Sequence, residues 1–165
     1  MSRLIFFIAC MILSGSAQMP STTDWRGLSP LKSTRTDVER TLGRPDESIG
    51  NETVTYRFPD RVVYFHFISN PNCERQLSYT SWNVTSDTLT AIDVTFRPQP
   101  LVADTGIDLT KYKKIEAGGD LLDRYNYFNA DGSFVIEVGN NYLAGYHYRP
   151  GSKQEHLRCD PSKQR

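Results

Sequence analysis

Three histidines and a few carboxylates are the residues of this chain best suited to acid–base or metal chemistry. His66 and His147 lie among aromatic residues in β-forming stretches, and His156 lies in the C-terminal segment. No two of them have a metal-binding spacing such as His-x-x-x-His. The chain also has no Gly-x-Ser-x-Gly, His-Glu-x-x-His or phosphate-loop motif. We therefore predict packed or surface histidines, no catalytic residue, no metal and no cofactor.

Two carboxylates lie inside predicted strands. Asp93 has apolar neighbours in "TLTAIDVTF", and Glu137 takes an outward position in "SFVIEV". A buried aspartate can serve as a catalytic acid or base. Strand alternation instead favours an exposed face for both side chains.

Tyrosines form the candidate binding surface. Alternation along "YLAGYHYRP" predicts that Tyr142, Tyr146 and Tyr148 share one face of a strand. Tyrosines of neighbouring strands could extend this face: Tyr64, Tyr125 and Tyr127. Tyrosine-rich patches suit recognition because the ring offers contact area at low entropic cost. Ordinary cross-strand packing is the alternative explanation.

The first residues indicate export. Arg3 precedes the apolar run "LIFFIACMIL", and "SGSA" ends in small residues, which is the pattern of a cleaved secretory signal. We predict a signal peptide at residues 1–17, a flexible leader at 18–24, a single domain at 25–160 and a disordered tail at 161–165. Lipidation of Cys10 is the alternative, but bulky Phe7 and the apolar "MIL" after the cysteine fit it poorly. The expected location is periplasmic or secreted, without a transmembrane segment in the mature chain.

Cleavage at this site would leave two cysteines, Cys73 and Cys159. An even number of cysteines in an exported chain predicts a disulfide. The bridge would close a loop of about 85 residues and stabilise the fold by roughly 4 kcal/mol in the chain-entropy model. A thiol nucleophile paired with a histidine is the alternative use.

A short helix is predicted in "STRTDVERTLGRP". Thr34 is a good N-cap with Asp37 three residues later, as in a capping box. Gly43 occupies the position where a helix ends in a positive-φ residue, and Pro45 prevents continuation. The Gly-Arg-Pro corner is therefore predicted to be scaffold.

Six segments have the composition of β-strands: 52–58, 61–69, 88–96, 123–128, 133–138 and 142–150. The "NADG" and "GNN" turns separate the last three strands. We predict an α+β fold, with a single antiparallel sheet of about six strands in two three-stranded meanders and one short helix packed on it.

Three segments together resemble a family of exported bacterial proteins, typical of acidobacteria, that has no assigned activity. They are "LKSTRTDVERTLGRP", "WNVTSDTLTAIDV" and "YRPGSKQEHLRC", and the resemblance spans residues 25–159. The helix, Leu-Gly-x-Pro corner and hairpin also resemble the unit of β-lactamase-inhibitor-protein-like folds, which small outer-membrane assembly lipoproteins share. Those relatives bind proteins and are not catalytic. The chain departs from them by lacking a good lipobox and by showing only one strong helix.

Together these features predict an exported, non-catalytic binding or interaction module whose partner is another protein or an envelope component. A cell-envelope assembly or structural factor is the second hypothesis, and a small hydrolase with a site built from distant residues is the third. The net charge is zero, which argues against nucleic acid as a partner.

Overall fold

A computed structural model describes residues 20–69, 73, 82–117 and 123–159 of the protein. In these ranges one α-helix is followed by eight strands: α1 (Arg35–Leu42), β1 (Glu47–Ile49), β2 (Thr53–Phe58), β3 (Arg61–Phe67), β4 (Leu89–Phe96), β5 (Lys113–Glu116), β6 (Arg124–Phe128), β7 (Phe134–Gly139) and β8 (Tyr142–Tyr148). Short 3₁₀ segments occupy Val102–Asp104, Leu109–Lys111 and Ser152–Leu157. The predicted signal peptide, Cys10, the start of the predicted leader and the predicted tail lie outside the described residues.

Helix α1 begins and ends at specific side-chain and backbone contacts. The Thr34 hydroxyl accepts a hydrogen bond from the backbone N–H of Asp37, and the Asp37 carboxylate accepts one from the backbone N–H of Thr34. Gly43 follows the helix with φ 82° and ψ −159°, a backbone conformation that favours glycine. The Tyr56 hydroxyl donates to the carbonyl oxygen of Gly43 at 2.8 Å and so fastens the end of the helix to β2.

All eight strands pair antiparallel in one sheet, in the order β1-β2-β3-β4-β8-β7-β6-β5. The fold is therefore α+β with a single sheet, but the expected six strands in two three-stranded meanders are not what the structure has. The two additional strands, β1 and β5, are the edges of the sheet, and all their residues are exposed. Exposed edges carry no alternation of apolar and polar residues, which is the signal that strand prediction relies on.

One face of the sheet, here called the core face, holds the main buried cluster. Val63, Val94 and Tyr146 lie opposite one another across β3, β4 and β8 on this face. Val38 of α1 and Trp25 of the entry segment belong to the same buried cluster. Burying side chains of this size stabilises the fold by roughly 1.5–3 kcal/mol each.

The seam between β4 and β8 joins the first and second halves of the chain. Asp93 pairs with His147 in register there, and Thr95 pairs with Gly145. A Cβ at position 145 would lie 2.2 Å from the carbonyl oxygen of Val94, so the two strands can approach this closely only with glycine. The seam therefore brings together residues that are far apart in sequence.

A disulfide fastens the C-terminal segment to the body. Cys73 and Cys159 are bonded with their Cα atoms 5.5 Å apart, which confirms the predicted pair. Nearby, Trp82 and Arg158 form an isolated β-bridge, and the Arg158 guanidinium lies 5.0 Å from the centre of the Trp82 ring. The described residues include no helix that is both long and apolar enough to cross a membrane.

Candidate functional site

Six polar side chains form a continuous hydrogen-bonded line across the second face of the sheet, here called the open face. Each comes from a different strand, so the line crosses six of the eight strands. Its members, here called the polar network, are Thr53 (β2), His66 (β3), Asp93 (β4), His147 (β8), Glu137 (β7) and Arg124 (β6).

Asp93 is the centre of the polar network. One carboxylate oxygen, Oδ2, lies 2.9 Å from Nε2 of His66, and the other, Oδ1, lies 2.8 Å from Nδ1 of His147. Burial alone would raise the pKa of Asp93, but the hydrogen bonds with His147 and His66 outweigh it and hold the pKa well below its usual range. Asp93 is therefore a carboxylate that accepts from both rings.

The network continues outward from both rings. His147 Nε2 lies 3.3 Å from Oε2 of Glu137, and Glu137 is also bonded to the Arg124 guanidinium. On the other side, Nδ1 of His66 lies 3.1 Å from the Thr53 hydroxyl oxygen.

The geometry requires a particular protonation state of His147. Both of its ring nitrogens face carboxylate oxygens, and an ionised carboxylate can only accept. Both nitrogens must therefore donate, which makes the ring an imidazolium. Consistently, the hydrogen bond to Asp93 raises the pKa of His147, burial opposes the rise, and Glu137 adds to it.

Solvent reaches the network although it runs through the middle of the sheet. The side chains of His66, Asp93 and His147 are 34%, 35% and 35% exposed. The main buried cluster lies on the core face; Val62 and Val135 on the open face are buried as well but lie outside that cluster. Tyr64 pairs with Asp93 in register, so its half-buried ring flanks the network.

The arrangement limits the chemistry that the network can perform. Both ring nitrogens of His147 face carboxylate oxygens, so this ring offers no free lone pair to a metal or a substrate proton. His66 instead lies between the Asp93 carboxylate and the Thr53 hydroxyl. Across the described ranges, no three His, Cys, Asp or Glu residues are placed to hold a metal ion. Four surface clefts are lined by described residues, and none of these four includes a member of the network.

The structure divides the predicted tyrosine face between the two sides of the sheet. Tyr146 and Tyr148 are core residues, 7% and 2% exposed, and burial raises the pKa of Tyr146 to about 12. Tyr142 lies beyond a β-bulge that interrupts the β7–β8 pairing between Glu137 and Val138. The bulge reverses the alternation and moves Tyr142 to the open face, where Tyr64 also lies. The prediction of one shared tyrosine face was therefore wrong.

The remaining tyrosines of that prediction, Tyr125 and Tyr127, are half-buried on the core-face side of β6. His156 lies apart from the other histidines in the 3₁₀ segment Ser152–Leu157, with Nδ1 3.1 Å from the carbonyl oxygen of Lys153.

Comparison with protein-family models, curated proteins and solved structures finds no match. The family resemblance of the three sequence segments therefore stays a prediction.

The sequence predicts the positions of His66, His147, Asp93 and Glu137 singly. It does not predict that the four side chains contact one another. Each is a polar residue between two apolar or aromatic neighbours in its strand, and this alternation is visible in the sequence. What joins them is the pairing of β4 with β8 between the two halves of the chain.

Proposed function

We propose that the protein is an exported, non-catalytic binding module that recognises a protein partner through its open face. The observation that carries this proposal is the polar network, which is about one-third exposed at its centre although it lies on interior strands. Polar and charged groups in the middle of a sheet face are costly unless they are paired, and here each is paired in advance.

The shape of the face favours a protein over a small molecule. Small ligands bind in concave sites that enclose most of their surface. The network instead extends across six strands, flanked by the half-buried ring of Tyr64. Mixed apolar and polar surface with tyrosine and arginine is typical of protein–protein interfaces.

Preorganisation is the physical advantage of such a surface. Each side chain of the network is held by at least one neighbour, so little side-chain entropy remains to be lost when a partner binds. The alternation of carboxylates with cationic groups along the line also sets a charge pattern that a partner must match.

Two observations support export. The first residues have the pattern of a secretory signal. The Cys73–Cys159 disulfide is the type of cross-link that persists in oxidising compartments.

Site-specific cross-linking tests the proposal. A photoreactive phenylalanine analogue replaces Tyr64 on the open face, and the same analogue replaces Glu39, an exposed residue of α1, as the matched control. In extract of the cells that make the protein, we expect a discrete cross-linked product from position 64 and not from position 39. Adding Asp93→Asn to the position-64 protein should reduce that product several-fold. Identical products from both positions, or a product that Asp93→Asn leaves unchanged, would refute open-face recognition.

One observation favours the hydrolase as a second candidate. Thr53, His66 and Asp93 are aligned as a hydroxyl, an imidazole and a carboxylate, the order of groups in a nucleophilic triad. This candidate requires ester hydrolysis that disappears in Thr53→Val, measured with p-nitrophenyl acetate. If the protein is a binding module, the wild type and Thr53→Val should show the same background rate of ester hydrolysis.

A further inference from the structure

A cleft on the opposite side of the sheet from the polar network has the properties of a small-ligand site. It lies between strands β5–β7 and the segment that holds the first two 3₁₀ turns, and its volume is about 350 Å³. Ligand sites typically occupy roughly 300–1,000 Å³, so this cleft matches the small end of that range.

Aromatic and apolar side chains form the walls. Tyr125 and Tyr127 stand two residues apart on β6 and line the same side of the cleft, and Val138 lies opposite Tyr125 on β7. Val102 and Leu109 face them from the 3₁₀ turns. The cleft therefore offers flat rings and aliphatic surface to one side of a ligand.

Polar groups at the rim have no partners within the described part of the chain. The side chains of Asp123, Asn140 and Asn141 line the cleft, and none makes a hydrogen bond or ion pair there. Their backbones are firmly held, since the Asn140 N–H donates to the Asp123 carbonyl oxygen at 3.1 Å and the Asn141 carbonyl oxygen accepts from Val102 at 3.0 Å. The rim thus presents two amides and one carboxylate on a fixed backbone.

The charge of the cleft is balanced. The Lys114 ammonium lies 3.5 Å from the centre of the Tyr125 ring and supplies one positive charge, which Asp123 offsets. A strongly anionic or cationic ligand therefore finds no excess of opposite charge.

These features match the chemistry of a neutral sugar. A sugar hydroxyl both donates and accepts, as an asparagine amide does, and neighbouring hydroxyls can donate to the two oxygens of one carboxylate. The C–H face of a pyranose ring is apolar and can lie against a tyrosine ring. We infer that the cleft between Tyr125, Asp123 and the Asn140–Asn141 turn binds one neutral pyranose unit of a saccharide.

Saturation-transfer NMR on the full chain tests this inference. The probes are D-glucose, D-galactose and N-acetyl-D-glucosamine, each measured separately, and glycerol serves as a polyol without a ring. We expect transfer to the ring C–H protons of at least one sugar and none to glycerol. In a labelled protein, the same sugar should shift the backbone amides of Tyr125, Asn140 and Asn141.

The matched variants separate the site from the fold. Asn140 and Asn141 have positive φ, so the double substitution Asn140→Gly/Asn141→Gly removes both amides but keeps a backbone that glycine readily adopts. It should reduce the sugar signal at least fivefold, as should Tyr125→Ala. Tyr142→Ala, at an exposed tyrosine outside the cleft lining, should leave the signal unchanged. No transfer from any of the three sugars, equal transfer to glycerol, or a signal that the double glycine variant retains would overturn the inference.

Discussion

Nδ1 of His147 lies 2.8 Å from Oδ1 of Asp93, across the seam where β4 pairs with β8. This contact joins the two halves of the chain on the open face, and the second oxygen of Asp93 extends it to His66. Loss of the Asp93 carboxylate would therefore separate the two histidines of the polar network.

Asp93→Asn should destabilise the protein by roughly 1–2 kcal/mol, because the two histidine rings lose the carboxylate charge that they share, in a site that solvent partly screens. The measurement is the free energy of unfolding from urea denaturation at pH 6.5. Asp87→Asn is the control, because Asp87 is an exposed partner of Arg35 outside the network. Equal effects of the two substitutions would show that the network adds no stability.

The stability of the fold should fall as the pH rises above the ordinary histidine range. The pKa of His147 is raised from 6.5 in the folded state, so its contribution is fully present below 6.5 and is lost as the pH rises through the raised value. The pKa of Asp93 is lowered from 3.8, so its contribution is present above 3.8 and is lost as the pH falls through the lowered value. The two contributions coexist between these limits.

Thermal unfolding from pH 5 to pH 9 measures this dependence. His147→Gln should remove much of the decline on the alkaline side, because glutamine cannot carry the charge. His156→Gln, which changes a histidine outside the network, should retain the wild-type profile. A wild-type profile in His147→Gln would contradict the charged state of this ring.

Thr55→Val should stabilise the protein by about 1 kcal/mol, because the Thr55 hydroxyl is buried without a hydrogen-bond partner among the described residues and valine has nearly the same shape. Thr53→Val is the matched comparison two residues away on β2. It removes the hydroxyl that is bonded to His66 and should lower stability. Urea denaturation compares the two, and a loss of stability in Thr55→Val would mean that this hydroxyl is satisfied.

Gly43→Ala should lower stability by roughly 1–3 kcal/mol, because φ 82° with ψ −159° is a conformation that residues other than glycine rarely adopt. A Cβ at this position would meet nothing within 4 Å, so the cost is one of backbone conformation. In Gly139→Ala, the new Cβ would make only ordinary contacts with the Arg124 side chain, and we expect a much smaller effect. Equal melting temperatures for Gly43→Ala and the wild type would contradict this conformation.

The parts of the fold that could be predicted are those with a local signal. Thr34 and Asp37 mark the start of α1 by their spacing, and the six strands with apolar alternation correspond to β2–β4 and β6–β8. The exposed edges β1 and β5 have no such signal.

The polar network could not be predicted because it depends on long-range register. His66, Asp93 and His147 are polar residues on half-buried strands, and single-sequence patterns do not show which strands become neighbours. The prediction of one tyrosine face was wrong for a related reason, since one bulge opposite Glu137 reverses the alternation along β8. A face predicted from alternation is reliable only while the strand has no bulge.

The protonation state of His147 is the sharpest test of the polar network as a preorganised charged surface. The proposed alternation of carboxylates and cations requires His147 to donate from both ring nitrogens, to Asp93 and to Glu137. Ring ¹⁵N NMR of the full chain at pH 6.5 should show His147 predominantly as an imidazolium with both nitrogens protonated. A neutral ring in a single tautomer at that pH would contradict the charge pattern from which open-face recognition is proposed.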